Sequence, residues 1–208
     1  MSSYARNERQ ALADLLTEVG PDAPTLCEGW SAADLAAHLV IRERRPDAAA
    51  GILIKPLAGY TSHVQDGVRG RPWPELVDTV RSGPPFPLRL NAVDEAVNTV
   101  EYFVHLEDVR RAGPGWEPRW LDPGFEQALW SRLKTMARVL FRRSPVGVTL
   151  AAPGYGEVAA KAGEPRVTLT GPPGELLLFA FGRQAATRVE TAGDPAAVTR
   201  LRQASLGL

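Results

Sequence analysis

The stretch Thr25-Leu-Cys-Glu-Gly-Trp-Ser-Ala-Ala-Asp-Leu-Ala-Ala-His-Leu39 combines the start of a helix with one of the three histidines of the chain. Ser31 and Asp34 have the spacing of a capping box, in which each side chain accepts a hydrogen bond from the backbone of the other residue. The helix that begins here places His38 among apolar side chains. Because an unpaired polar group is costly to bury, a histidine at this position needs a polar partner. The stretch therefore predicts a helix that carries a buried polar site.

A second histidine lies in the segment from Asn91 to Arg111, which has helical periodicity and is followed by Gly113-Pro-Gly115. Glu101 and His105 are four residues apart, so both side chains project from the same face of the predicted helix. A helical wheel of about 100° per residue places them and Asp108 beside a stripe formed by Val93, Val97, Val100 and Val104. We therefore expect these polar residues to border the helical core.

One metal ion shared by His38, Glu101 and His105 would satisfy all three buried polar groups. Two imidazoles and one carboxylate leave coordination positions open for water or substrate, which is typical of catalytic rather than structural metal sites. The alternative is that each histidine is a hydrogen-bonded core residue and that Glu101 is a surface carboxylate or the partner of His105. Spacing alone leaves both interpretations open.

Four further residues have candidate roles around this site. Asp108 is predicted to accept a hydrogen bond from a ligand histidine or to join the coordination sphere, with an ion pair to a following arginine as the alternative. Asp34 is assigned to capping and not to the metal. His63 is predicted to be an exposed loop histidine. Cys27 is interpreted as a small buried side chain, with a nucleophilic role as the less favoured alternative.

Composition limits the classes of function. The chain has 208 residues, of which 44% are hydrophobic and 23% charged, as in an ordinary globular protein. A formal net charge of zero argues against a nucleic-acid partner. There is no apolar run of the roughly 18 residues that a membrane span requires, and no secretory signal at the N-terminus. One cysteine excludes an internal disulfide and favours a reducing compartment. We therefore predict a cytoplasmic protein with neither a nucleic-acid nor a membrane partner.

The character of the chain changes near residue 144. Helical patterns precede this point, at Tyr4 to Val19, Ser31 to Arg45, Trp73 to Val80, Asn91 to Arg111 and Pro123 to Arg143, with a further apolar segment at Ala48 to Leu57. Short β-prone segments follow it, at Val146 to Leu150, Glu157 to Ala160 and Arg166 to Thr170, with helical patterns at Glu175 to Phe181 and Pro195 to Gln203. The prediction is a helical domain over 1–143 and a small α+β domain over 144–208.

Three separated blocks resemble a known family. The stretch from Thr25 to Leu39 resembles the Gly-Trp-(Ser/Thr)-x-x-Asp-x-x-x-His signature of the mycothiol-dependent maleylpyruvate isomerase family, a branch of the DinB-like metal-binding four-helix bundles. Glu101-Tyr-Phe-Val-His-Leu-Glu-Asp-Val-Arg110 resembles its second signature, Glu-x-x-x-His-x-x-Asp. Gly171-Pro-Pro-Gly-Glu-Leu-Leu-Leu-Phe-Ala-Phe-Gly-Arg183 is similar to the motif of its C-terminal domain.

This resemblance implies an α+β protein in which a DinB-like four-helix bundle precedes a small α+β domain. It implies that His38, Glu101 and His105 are the ligands of a divalent metal, usually zinc. Nickel and iron are alternatives, because imidazole and carboxylate suit all three metals. Asp108 would support a ligand from outside the coordination sphere. Arg183 matches an arginine linked to activity in the isomerase branch and could hold a substrate carboxylate. The alternative is a surface arginine that ends a helix, where a cation is favoured. Mycothiol is the implied co-substrate.

The leading functional hypothesis is a metal-dependent thiol transferase or isomerase, whose partners are a small-molecule thiol and a small electrophile. The alternative is a non-enzymatic metal-binding or ligand-binding protein with the same fold. A third hypothesis is a purely structural helical module with two hydrogen-bonded core histidines. Homodimerisation is the default expectation for the assembly.

Overall fold

The chain folds into two compact units, Met1–Trp116 and Glu117–Leu208. The computed structural model describes residues 3–45, 47–48, 58–86 and 91–207. The first unit is helical in its described residues, and the second combines helices with a four-stranded sheet. The predicted fold class, a helical N-terminal domain followed by a small α+β domain, is confirmed. Within the described residues, no helix combines the length and the apolar character that crossing a membrane requires.

The described part of the first unit contains α1 (Tyr4–Val19), α2 (Ala32–Arg44), α3 (Ala58–Arg69), α4 (Trp73–Ser82) and α5 (Asn91–Arg110). Helix α1 packs along α5 and α4, and α2 packs on α3 and α4. Their shared core is aliphatic with one tyrosine, and its largest fully buried members are Leu12, Leu16, Leu35, Leu39, Ile41, Leu76 and Tyr102. Burial of these faces supplies most of the stability of the helices.

Helix α2 begins with the predicted capping box. The hydroxyl of Ser31 accepts a hydrogen bond from the backbone N–H of Asp34, and the Asp34 carboxylate accepts one from the backbone N–H of Ser31 at 2.9 Å. Both bonds satisfy backbone donors that the first turn of a helix leaves unpaired. This local signal fixes where α2 begins and therefore which face of the helix carries His38.

The valine stripe of α5 forms the predicted core seam only in part, because Val104 is buried but Val93 and Val97 are not. The side chains of Val93 and Val97 are 37% and 52% exposed. The core is contacted by Tyr102, Leu106 and Val109. These include the larger side chains of the helix, which bury more apolar surface than valine does. The buried face of α5 therefore combines larger side chains with two valines, Val104 and Val109.

Two other expectations concern residues 46–72. His63 lies in helix α3 and not in a loop, although its side chain is exposed as predicted. The apolar segment from Ala48 to Leu57 falls almost entirely outside the described residues.

The second unit contains α6 (Pro123–Leu140), β1 (Gly147–Ala152), β2 (Gly156–Lys161), β3 (Arg166–Thr170), α7 (Pro173–Ala180), β4 (Glu190–Gly193) and α8 (Pro195–Arg202). The strand order is β2-β1-β3-β4. Strand β1 is antiparallel to β2 and parallel to β3, and β4 closes the other edge antiparallel to β3. The edge strand β4 was not predicted, because its four residues, Glu-Thr-Ala-Gly, have neither β-branched nor apolar alternation beyond one threonine.

The chain can be divided where its secondary structure changes or where its compact units meet in sequence. The two divisions differ in where they place α6. Helices give way to strands between Leu140 and Gly147, where the sequence changes character. The compact units nevertheless divide between Trp116 and Glu117. Helix α6 packs on β2 and α7, so its contacts group it with the sheet. The sequence change near residue 144 therefore marks a change of secondary structure inside the second unit.

Candidate metal centre

The three predicted ligands come from two helices of the first unit. His38 lies on α2, and Glu101 and His105 lie one turn apart on α5. Both histidines are buried, and the Glu101 side chain is 22% exposed. The structure thus brings together all three residues, with the carboxylate on the side of the cluster that reaches solvent.

The donor atoms of these residues lie close enough together to share one metal ion. Glu101 Oε1 lies 3.2 Å from His38 Nε2 and 3.2 Å from His105 Nε2, and all three atoms lie within 4.8 Å of one another. Donors on one tetrahedral zinc with bonds of about 2.0–2.1 Å are about 3.3 Å apart. The two imidazoles and the carboxylate therefore fit a divalent cation in both chemistry and spacing.

Asp108 supports this cluster from behind His105. Its side chain is fully buried, and Oδ2 accepts a hydrogen bond from His105 Nδ1 at 2.9 Å. With a proton at Nδ1, the lone pair of a neutral His105 lies at Nε2, on the side of Glu101. The structure thus places Asp108 where a residue that orients a metal-ligating histidine would lie.

Cys27 also contacts this cluster. Its interpretation as a small buried side chain did not predict these contacts. Its thiol donates to Asp108 Oδ2 at 3.2 Å, and Cys27, His105 and Asp108 form a second group that has metal-ligating spacing. The backbone N–H of Leu26 also donates to the Asp108 carbonyl, which fixes this loop on α5. No local pattern in the sequence indicates these contacts, because they join residues 81 and 82 positions apart.

The three candidate ligands differ in charge in the metal-free protein. Burial acts to raise the pKa of Glu101, but hydrogen bonds with His105 and His38 outweigh it, and the pKa lies well below the usual 4.5. Burial acts to lower the pKa of His105, but hydrogen bonds with Asp108 and Cys27 outweigh it, and the pKa lies well above 6.5. Burial lowers the pKa of His38 below 6.5. At neutral pH, Glu101 is therefore anionic, His105 cationic and His38 neutral.

One aromatic and one cationic residue lie next to the candidate ligands. The ring of Trp30 lies 5.1 Å from the ring of His38, centroid to centroid. The Arg42 guanidinium lies 3.3 Å from Glu101 Oε1 through its Nε atom. No pattern in the sequence predicted the position of Arg42 at the site.

The remaining candidate residues lie elsewhere. Asp34 caps α2 and pairs with Arg69 at 2.9 Å, which agrees with its assignment away from the metal. His63 is exposed on α3. Arg183 belongs to the second unit, where its half-buried side chain donates to the carbonyl of Phe181. Its predicted role in activity stays a prediction.

One known protein family matches the part of the chain that holds this site. The family described as mycothiol maleylpyruvate isomerase N-terminal domain matches residues 5–136. The match covers more than half of the chain. The chain belongs to this family. Comparisons with curated proteins and with solved structures found no match. Family membership thus rests on the segment that contains α1, α2, α5 and all three candidate ligands.

Proposed function

We propose that His38, Glu101 and His105 bind one divalent metal ion and that the site promotes the reaction of a small thiol with a small electrophile. The observation that carries the proposal is the convergence of two imidazole nitrogens on one carboxylate oxygen, at 3.2 Å each. Membership in a family named for a mycothiol-linked isomerase supports thiol chemistry. On this basis the chain is a metal-dependent thiol transferase or isomerase.

A bound divalent cation supplies one kind of chemistry here: it lowers the pKa of a coordinated thiol or water, so that the anion is available near neutral pH. The orientation of the ligands comes from residues of the chain. Asp108 holds the Nδ1 proton of His105 and directs Nε2 toward the centre. Three protein ligands leave a position for a small molecule. The Glu101 side chain is 22% exposed, so solvent reaches the cluster at this residue.

We propose zinc as the metal, because three ligands of nitrogen and oxygen type suit it, with nickel and iron as alternatives. We propose mycothiol as the thiol, on the strength of the family description alone. Arg183 is proposed to bind a substrate carboxylate, for which a guanidinium is well shaped.

Metal analysis of the purified chain tests the site. The wild type should contain about one metal ion per chain, and His38→Ala and His105→Ala should each lose it, because removal of one of three ligands weakens binding strongly. His63→Ala is the matched control, since it removes an exposed histidine and should keep the metal. A wild type without stoichiometric metal, or equal loss in the His63 variant, would contradict the site.

A turnover assay separates an enzyme from a binding protein. The metal-loaded chain is incubated with mycothiol and maleylpyruvate, and the cis-to-trans change of the double bond is followed by absorbance. We expect a rate that requires both thiol and metal. A rate equal to that of the metal-stripped chain, in a protein that binds the metal, would support the non-enzymatic alternative.

A further inference from the structure

Arg42 lies one turn after His38 on α2, so the two side chains share a face of that helix. Its guanidinium contacts α5 three times. Nε lies 3.3 Å from Glu101 Oε1, Nη1 donates to the side-chain oxygen of Asn98, and Nη2 donates to the carbonyl of Val97 at 3.1 Å. Two donated hydrogen bonds and one ion pair leave the guanidinium little rotational freedom.

Asn98 holds Arg42 from a buried position. The side chain of Asn98 is only 4% exposed. Its amide nitrogen donates to Asp94 Oδ1 at 2.7 Å and to Glu43 Oε1 at 3.2 Å. With its nitrogen engaged by two carboxylates, the amide can only direct its oxygen toward Arg42.

The carboxylates that engage Asn98 are themselves anchored. Arg9 of α1 is 4% exposed and donates to both oxygens of Asp94 and to Glu43 Oε1. The Arg9 guanidinium also lies over the ring of Tyr102, 4.5 Å from its centroid. Buried charges of this kind keep a fixed geometry, because breaking one contact leaves an uncompensated charge. A continuous polar chain therefore runs from α1 through Asn98 and Arg42 to Glu101.

We propose that Arg42 is a positioning residue of the metal centre, which holds the Glu101 carboxylate in its ligand orientation. This inference rests on the proposed function. A glutamate that is partly exposed can adopt other rotamers, and the guanidinium restricts them while its anchor on Asn98 keeps it in place. Hydrogen-bond partners outside a coordination sphere change metal affinity by about 10–100-fold when removed.

Arg42 could instead act only through its positive charge, by favouring the C-terminal end of the α2 dipole or the ionised form of Glu101. Lysine keeps the charge but cannot reproduce the planar fork. Arg42→Lys therefore separates positioning from charge. Arg44 provides the matched control, since it lies in the same last turn of α2 and donates to Ser82 Oγ and the Gly83 carbonyl, away from Glu101.

The experiment measures Zn²⁺ affinity of the full chain by competition with a chelator, and the visible absorption spectrum of the Co²⁺-loaded protein, which reports ligand geometry. We expect Arg42→Lys to weaken Zn²⁺ binding by about tenfold or more and to alter the Co²⁺ spectrum. Arg44→Lys should match the wild type in both measurements. Asn98→Ala should weaken binding in the wild type but add little in Arg42→Lys, because both act through the same contact.

Two results would overturn the inference: Arg42→Lys with wild-type affinity and Co²⁺ spectrum, or an equal loss in Arg44→Lys. In either case the wild type still binds Zn²⁺ and His38→Ala does not, so the metal site itself stands. A wild type that fails to bind Zn²⁺ overturns the proposed function and this inference together. Circular dichroism of each variant establishes that all are folded.

Discussion

His105 bridges two carboxylates in the metal-free protein. Its Nε2 contacts Glu101 and its Nδ1 contacts Asp108, at 3.2 and 2.9 Å. Both contacts are satisfied when the ring carries two protons, and the raised pKa of His105 follows from this arrangement. A metal ion at the centre needs the Nε2 lone pair, so it must displace the proton there while the Nδ1 proton stays with Asp108.

The first prediction is that Zn²⁺ binding releases about one proton at pH 6.5, below the pKa of about 7 that zinc gives to a bound water. The raised pKa keeps His105 protonated at this pH, the lowered pKa of His38 keeps that ring largely neutral, and Glu101 is ionised. Release from His105 should decline as the pH rises through its pKa, and affinity should increase with pH up to that point. Calorimetry in two buffers of different ionisation enthalpy measures the release. Binding without proton release would contradict the assignment of His105.

The second prediction concerns Asp108→Asn. The amide keeps the size of the side chain but lacks the charge that stabilises the His105 imidazolium. We expect proton release on Zn²⁺ binding to fall, and affinity to drop about 10–100-fold. Asp78→Asn is the control, because it makes the same exchange at a carboxylate that is 78% exposed on α4. Equal affinities in Asp108→Asn and the wild type would mean that Asp108 does not support the ligand.

At the scale of elements, local signals were predictable from the sequence and long-range contacts were not. The Ser31 capping box and the one-turn spacing of Glu101 and His105 depend on residues three or four positions apart, and both are present. The contacts of Arg42 with α5 and of Cys27 with Asp108 join residues 56 and 81 positions apart. Such contacts depend on how helices are rotated against each other, and the valine repeat of α5 indicated that rotation only in part, since Val93 and Val97 are exposed.

The third prediction is that Ser31→Ala destabilises α2 by about 1 kcal/mol. The loss of the hydroxyl leaves a backbone donor of the first turn without its acceptor. Metal content should stay near one per chain, since His38 lies two turns further on. Amide exchange in peptides that span α2, measured across a urea series, gives the change. Ser62→Ala, at an exposed position in α3, should change stability by less than about 0.5 kcal/mol.

The fourth prediction tests the buried ion pair between α1 and α5. Asp94→Ala removes the carboxylate that accepts both nitrogens of the Arg9 fork, whose side chain is 4% exposed. We expect a loss of about 3–5 kcal/mol in unfolding free energy, because the arginine is left buried and undercompensated. Asp14→Ala breaks an ion pair with Arg81 at a carboxylate that is 69% exposed, and it should cost less than about 1 kcal/mol. Similar losses in the two variants, measured by urea unfolding, would refute this difference.

At the scale of the whole molecule, the candidate metal site and the second unit lie in different parts of the chain. All three proposed ligands, together with Asp108, Cys27 and Arg42, lie within Met1–Trp116. The sheet and Arg183 lie within Glu117–Leu208. The family match crosses this division and ends within α6. The proposed ligands and their neighbours are therefore all residues of the first unit, and Arg183 is a residue of the second.

The last prediction follows from that distribution. A ligand that binds only the folded state stabilises it by about 2.7 kcal/mol at 100 times its dissociation constant. Zn²⁺ should therefore slow amide exchange in α2 and α5, the helices that hold the ligands, and leave the exchange of β1 and β3 unchanged. Mass spectrometry of deuterated peptides with and without Zn²⁺ measures both regions in one experiment. In His105→Ala the slowing in α2 and α5 should vanish. Equal slowing in the strands would show that metal binding acts on the second unit as well.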